Sequence, residues 1–323
     1  MSPPRPQVSV VVPLLNEATT VVDLVQRVSA VLGERGDSFE IVFVDDGSTD
    51  GTVEVLREME RNDASVRVYE FTRNFGQAAA LACGLREARG EVVVTIDGDL
   101  QNPPEEIPKL LAVIEEGAWI ATGRRSVRYE QPWRWLGSRF VHWVARALVG
   151  ADIDDFGGQF KAYRREVVEA TQKLWAPGKP FFPLALWLGF PVCEVSVRHD
   201  PRRSGRSRYG FASLLRINLD LIISFTTVPL VALAVAGAVL FLVGIAAVAI
   251  CIVGGATDGF AAVLSLVLFT VGSVFLACGI VGLYVARIYR MVSTNNPGYV
   301  LREKASGADT RDRPLRAAYP RRS

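Results

Sequence analysis

Over its first 125 residues the chain alternates short apolar runs with stretches of helical period. Val8 to Val12, Glu40 to Val44, Val66 to Phe71, Val92 to Ile96 and Ala118 to Thr122 read as five strands. Between the first two, Val21, Leu24, Val25, Val28 and Leu32 recur at helical spacing. They predict a helix from about Glu17 to Leu32, with Asn16 as its cap. A small-residue helix is expected over Gln77 to Ala88, and Pro103-Pro104-Glu105 is a ready helix start. Strands alternating with helices imply a mostly parallel, doubly wound α/β sheet. Neither G-x-G-x-x-G after the first strand nor a P-loop occurs, so no dinucleotide or P-loop fold is indicated.

The polar clusters fall at the carboxyl ends of these strands: Asn16 and Glu17, Asp45 and Asp46, Arg73, then Asp97, Asp99 and Gln101, then Arg124 and Arg125. Open α/β sheets bind ligands at that edge. Asp97 and Asp99 flank Gly98, which admits close approach to the backbone. Two carboxylates and the Gln101 amide oxygen make an all-oxygen donor set that suits Mg²⁺ or Mn²⁺ carrying a diphosphate. Taken alone, the same residues also fit a solvated acidic turn.

Beyond residue 128 the pattern changes. Tyr129 to Val149 mixes Trp133, Trp135, Phe140 and Trp143 with arginines, as suits a helix at a membrane interface or an ordinary amphipathic helix. Asp152 to Gly158 is an acidic loop, and Phe160 to Arg165 leads into a further helix. His199 to Gly210 is the densest basic stretch, either a solvated linker or a loop for phosphates. Leu221 to Thr257 and Gly259 to Ala286 hold no charged residue, and each exceeds the roughly 20 residues that cross a hydrocarbon core. Pro229 marks a start or kink in the first span. The link between the runs carries Asp258 and no Lys or Arg, whereas Arg206, Arg208, Arg216, Arg287 and Arg290 flank the pair. The positive-inside rule puts the catalytic region and both termini in the cytoplasm, on a multi-pass inner-membrane protein.

Composition agrees. Half of the 323 residues are hydrophobic, and the net charge of +2 makes no case for nucleic acid. Four scattered cysteines and two histidines offer neither a disulfide framework nor a His-based metal site. Residues 1–7 are proline-rich and lack the apolar run of a secretory signal. The expected organisation is an N-terminal tail over 1–7, a catalytic domain over 8–215 and a two-helix membrane hairpin over 216–290. The spans would run about 221–253 and 260–286, and a partly disordered cytoplasmic tail would occupy 291–323.

Five motifs occur in order: Val10 to Glu17, Val44 to Asp50, Arg73 to Gln77, Asp97 to Glu105, and His-x-x-Arg-x-x-Gly-x-Ser-x-Tyr at 199–209. With the two apolar runs, they resemble the family 2 glycosyltransferases of GT-A fold, in the polyprenyl-phosphate, dolichol-phosphate mannose synthase-like branch. Lys161 to Arg165 and the two-span end add likeness to the undecaprenyl-phosphate 4-deoxy-4-formamido-L-arabinose transferases and the bactoprenol glucosyltransferases. The resemblance implies that Pro13, Leu15, Glu17, Val44, Asp46, Asp97 and Gly98 hold the nucleotide, and that Asp97, Asp99 and Gln101 bind the metal. It implies phosphate contacts for Arg124, Arg202 and Arg208, and lipid-phosphate contacts for Arg124, Arg134, Ser138 and Arg139. Leu15 replaces a commonly aromatic residue and Arg208 a lysine; the arginine keeps the charge.

The implied reaction is inverting transfer of a sugar from a nucleotide sugar, UDP-linked by the subfamily resemblance, to a polyprenyl phosphate in the bilayer. GDP-mannose is the alternative donor. The membrane helices would also serve a homo-oligomer. A phosphate monoester is already largely dianionic at neutral pH, so no dedicated general base is expected. Gln131-x-x-Arg134-Trp135 matches a pattern of processive polysaccharide synthases, but it comes too soon after Asp99 and two spans are too few for an export channel. A catalytically inactive scaffold that binds nucleotide sugar is the rival from outside enzymology.

Overall fold

The computed structural model describes residues 5–125, 158–175 and 180–200, single positions between 263 and 288, and the pairs 300–301 and 316–317. The aromatic-basic stretch, most of the acidic loop, Arg134, Ser138, Arg139, Arg202 and Arg208 lie outside the described residues, as do nearly all positions of the two apolar runs. Among the described residues no helix is long and apolar enough to cross a membrane. The chain divides into two compact units, Met1–Arg208 with Thr294–Ser323, and Tyr209–Ser293.

The first unit is built on a seven-stranded sheet. In chain order its elements are β1 (Val8–Leu14), α1 (Val21–Arg35), β2 (Phe39–Asp45), α2 (Thr52–Asn62), β3 (Val66–Glu70), α3 (Gln77–Glu87) and β4 (Val92–Thr95). A 3₁₀ turn (Pro104–Glu106) then leads into α4 (Ile107–Glu115) and β5 (Ile120–Arg125). Next come β6 (Lys161–Arg164), α5 (Arg165–Leu174), α6 (Phe181–Trp187) and β7 (Val192–Val197). The strand order is β3-β2-β1-β4-β6-β5-β7. All pairings are parallel except the two that β6 makes with β4 and β5.

Strands covered on both faces must be apolar throughout. All seven residues of β1 are buried. Val10 and Val12 join one core with Leu24, Val28 and Leu32 of α1 and Leu110 of α4. Val11 faces the other core with Leu81 and Leu85 of α3 and Phe181 of α6. Each such aliphatic side chain contributes about 1.5–3 kcal/mol by leaving water, and both layers are needed to cover the sheet.

One feature differs from the sequence reading, and two add to it. Asn16 does not cap α1, which begins at Val21 with Thr20 before it. Asn16 instead adopts φ 58° and turns the chain out of β1. That left-handed conformation is one that asparagine tolerates better than most residues. Second, Lys161–Arg164 leads into a helix as expected, α5, but is itself a strand, which the reading did not include. Because β6 is antiparallel, β5 leaves the sheet and β6 enters it at the same edge, so residues 126–160 begin and end there. Third, part of the expected C-terminal tail belongs to the first unit. Val300–Leu301 (β8) pairs with Arg316–Ala317 (β9), and Leu301 bridges Phe71 and packs beside Phe75. This places an apolar residue against the end of β3, an edge strand.

At the edge where the parallel strands begin, buried Glu40 collects donors. It accepts from Ser9 Oγ (2.7 Å), the Arg89 main-chain N–H (2.6 Å) and Arg67 Nη1 (2.8 Å). Ser9 Oγ in turn accepts the Gly90 N–H at 2.7 Å. Glu40→Ala removes the carboxylate beside Arg67, leaves that guanidinium only the Glu87 carbonyl and the Tyr69 hydroxyl, and is expected to cost about 2–4 kcal/mol. A thermal melt of the variant checks this, and a shift no larger than that of an exposed surface substitution would contradict it.

Candidate active site

β1, β2, β4 and β5 present their carboxyl ends on one edge of the sheet. Pro13 stands opposite Val44, and Leu14 opposite Asp45, in the β1–β2 register. Beyond them the chain is fastened loop to loop. Asn16 donates its main-chain N–H to Ser48 Oγ (2.8 Å), and its side-chain oxygen accepts from Thr49 N–H (2.8 Å). Glu17 donates its N–H to Thr52 Oγ1 at 3.0 Å. Leu15 and Glu17 are half-buried here.

Asp45 is fully buried. Its Oδ2 accepts the N–H groups of Gly47 (3.1 Å) and Ser48 (2.9 Å), which folds the turn after β2, while Oδ1 has no hydrogen-bond partner. Asp46 reaches the next loop. It accepts Phe75 N–H on Oδ1 (2.6 Å) and Gly76 N–H on Oδ2 (2.9 Å). Burial pushes the Asp46 carboxyl above its ordinary pKa, the two main-chain donors oppose that, and Asp45 adds to the rise. Two adjacent carboxylates in so little water are costly for folding, and main-chain donors offset part of that cost.

The Asp97–Glu105 loop is held along its length. Thr20 Oγ1 donates to the Gly98 carbonyl at 2.9 Å. Asp200 N–H donates to the Gln101 carbonyl at 2.8 Å, and His199 Nδ1 donates to Asn102 Oδ1 at 3.3 Å. Arg27 on α1 grips Glu105 through two bonds, of 2.8 and 2.6 Å, and holds that carboxyl below its usual range. Leu100 takes φ 59°, a strained conformation for a branched side chain, and is 2% exposed in the core. Its burial fixes the turn that separates Asp99 from Gln101.

Asp97 accepts a bond on Oδ1 from Gln77 Nε2 at 2.8 Å. Asp99 accepts Gln101 N–H on Oδ1 (3.1 Å) and Gln101 Nε2 on Oδ2 (2.5 Å). With Nε2 turned to Asp99, Gln101 Oε1 is the side-chain atom that could face a cation. Gly98 sits close to Leu14 and Glu17, and a Cβ there would be 3.3 Å from Leu14 Cβ. Among the described residues no group of three or more His, Cys, Asp or Glu is arranged to hold a metal unaided. A hard cation held by one or two carboxylates and completed by substrate phosphates needs no more than this donor set. Arg124 is exposed near the end of β5, on the same edge.

Two residues had no role in the sequence reading and stand out here. Gln77 bonds Asp97, and its signal was its place in the Arg73 to Gln77 motif. Lys161 is 1% exposed with its ammonium 4.3 Å from the centre of the Phe182 ring, paired in register with Thr95 and Thr122. Its charge disguised a buried strand position.

The sequence profile described as glycosyl transferase family 2 matches residues 9–171. An undecaprenyl-phosphate 4-deoxy-4-formamido-L-arabinose transferase of Edwardsiella ictaluri is 34% identical over 294 residues, covering 88% of this chain and 90% of that one. The protein of the same name from Pseudomonas aeruginosa is 37% identical over 292 residues, covering 87% and 86%. Glucosyl-3-phosphoglycerate synthase from Mycobacterium tuberculosis is similar in structure at 21% identity, over 68% of this chain and 79% of that one. Its TM-score of 0.47 is too low to support an inference.

Gly47 shows how closely the two loops around Asp46 approach. It has φ +78°, and a Cβ on it would lie 2.7 Å from Arg73 C and 2.8 Å from Asn74 N. Gly47→Ala is expected to cost at least about 1–2 kcal/mol from the backbone conformation alone. It should also speed amide exchange at Phe75 and Gly76, whose N–H groups Asp46 would no longer hold. Unchanged exchange at those two amides would contradict the contact.

Proposed function

The chain belongs to glycosyl transferase family 2 and is a glycosyltransferase; on that premise we propose that it transfers a sugar from a nucleotide sugar to an undecaprenyl-type polyprenyl phosphate at the cytoplasmic face of a membrane. The observation that carries this is the reach of the similarity. The family profile ends at residue 171, yet relatives that act on undecaprenyl phosphate by name match 88% of the chain. The match therefore takes in most of the chain beyond the catalytic motifs, including the apolar runs at 221–257 and 259–286 that would hold the enzyme at its lipid. The proposed donor is UDP-linked, with GDP-mannose as the alternative.

The roles are those that the family resemblance implies, and the shared sheet edge of Pro13, Leu15, Glu17, Val44, Asp46, Asp97, Gly98, Asp99, Gln101 and Arg124 supports the reading for these ten. Pro13, Leu15, Glu17, Val44 and Asp46 would hold the nucleoside, and Asp97, Asp99, Gln101 and Gly98 its diphosphate end. When bound, Mg²⁺ or Mn²⁺ would neutralise charge building on the departing diphosphate. Asp97 and Asp99 would hold it through their carboxylates, with the Gln101 side-chain oxygen Oε1 beside them. Arg124, Arg202 and Arg208 would meet phosphate oxygens by charge-assisted bonds, and Arg134, Ser138 and Arg139 would steer the lipid phosphate. β5 ends and β6 begins at the same edge of the sheet as Asp97 and Asp99, which suits that second task. Displacement at the anomeric carbon by the phosphate inverts its configuration. The acceptor brings its own negative charge, so the protein orients it and need not deprotonate it.

Detergent-purified protein is to be given undecaprenyl phosphate, Mn²⁺ or Mg²⁺, and a panel of UDP- and GDP-sugars. Release of nucleoside diphosphate should require lipid and cation and fall at least about 10²-fold in Asp99→Ala. If no donor is bound or consumed, the inactive scaffold takes the place of the enzyme reading, and a long polymer product would indicate a processive synthase.

The absence of a dedicated base has its own test. Turnover should rise with pH through about 6, where the lipid phosphate loses its second proton, and then level off. An aspartate whose loss abolishes turnover while cation and both substrates still bind would overturn it.

A further inference from the structure

Gln77 is exposed, at the first position of α3. A solvated amide there contributes little to the helix. Its side chain joins the start of α3 to the loop after β4, twenty residues away, where Nε2 meets Asp97 Oδ1 at 2.8 Å. The three residues Phe75, Gly76 and Gln77 therefore hold two carboxylates at once. The first two give main-chain donors to Asp46, and the third gives a side-chain donor to Asp97.

The donor is fixed in place before any ligand arrives. The Phe75 ring packs edge-on against Phe71 with centroids 5.6 Å apart, and Phe71 is 1% exposed. Gly76 turns the chain at φ +96°. The Gly47 backbone abuts Arg73 and Asn74 from the other side. Gln77 thus starts from a rigid corner, and its amide restrains the Asp97 side chain from that corner.

We infer that Gln77 is a positioning residue for the cation: it bonds Asp97 Oδ1, fixes that carboxylate's orientation, and so sets Oδ2 to ligate a divalent ion bound with a nucleoside diphosphate. This rests on the reading of Asp97 and Asp99 as cation ligands. The chemistry of the donor supports it. A neutral amide orients a carboxylate without cancelling its charge, whereas a lysine or arginine at the same place would orient it and compete with the cation. Partners of this kind behind a metal ligand commonly govern affinity by about 10–100-fold.

Gln77→Met keeps the length and removes the donor; Gln77→Lys keeps a donor and adds charge. Binding of Mn²⁺ to the detergent-purified full chain, with and without UDP, is read by electron paramagnetic resonance. Both variants are expected to bind Mn²⁺ with UDP about 10-fold more weakly than the unaltered protein. Melting temperature and amide protection at Phe75 and Gly76 should not change. Equal Mn²⁺ affinity in Gln77→Met would overturn the inference. Lost protection at Phe75 and Gly76 would also overturn it, because the role would then be to hold the helix start. Asp99→Ala separates this from the underlying reading. If the unaltered protein and Asp99→Ala bind Mn²⁺ alike, the cation site itself is misassigned and the inference falls with it.

Discussion

The constraint on which the rest depends is the crowding of carboxylates at one sheet edge. Asp45 ends β2 with Asp46 just past it, and Asp97 and Asp99 lie just past β4, with only β1 between the two strands. Two strand spacings put these pairs about 10 Å apart. At that distance unit charges repel by about 1–2 kcal/mol in a protein-like dielectric. The fold answers with neutral donors. Gly47, Ser48, Phe75 and Gly76 give main-chain N–H groups, and Gln77 and Gln101 give amides. None of these neutral donors discharges a carboxylate.

The loops carry this burden because they are tied to one another. The turn after β1 is bonded to the turn after β2, that turn to the start of α3, and α3 to the loop after β4. The loop after β4 is held in turn by Thr20, by Arg27 and by the main chain at Asp200. Asp200 belongs to the segment that runs on into the basic motif at 199–209. The site is thus rigid through its hydrogen bonds as well as its sheet, and the strained Leu100 is kept in place by burial.

How much of this could be read from the sequence depended on burial. β1, β2 and β4 showed as apolar runs because parallel strands are covered on both faces, and their bounds moved by at most two residues at either end. β6 is four residues long and begins with a lysine, which hid it, although Lys161 is buried over Phe182. β7 is an edge strand with mostly half-exposed positions and gave no clear run. Asn16 has the composition of a helix cap, yet its side chain meets Thr49 across the β1–β2 gap, a contact that local spacing does not carry. The bond between Gln77 and Asp97 was hidden for the same reason. Asp46, Asp97 and Asp99 stood out because they follow apolar strands at the edge where open α/β sheets bind ligands.

The central claim is that this edge binds a nucleoside diphosphate through a divalent ion at Asp97 and Asp99. Anomalous scattering from Mn²⁺, in crystals grown with UDP and Mn²⁺, tests it most directly. A peak in bonding contact with Asp99 and Asp97 Oδ2, with the diphosphate on its other side, is the predicted result. UDP bound at the edge with no manganese near either aspartate, or manganese ligated elsewhere, would contradict the account.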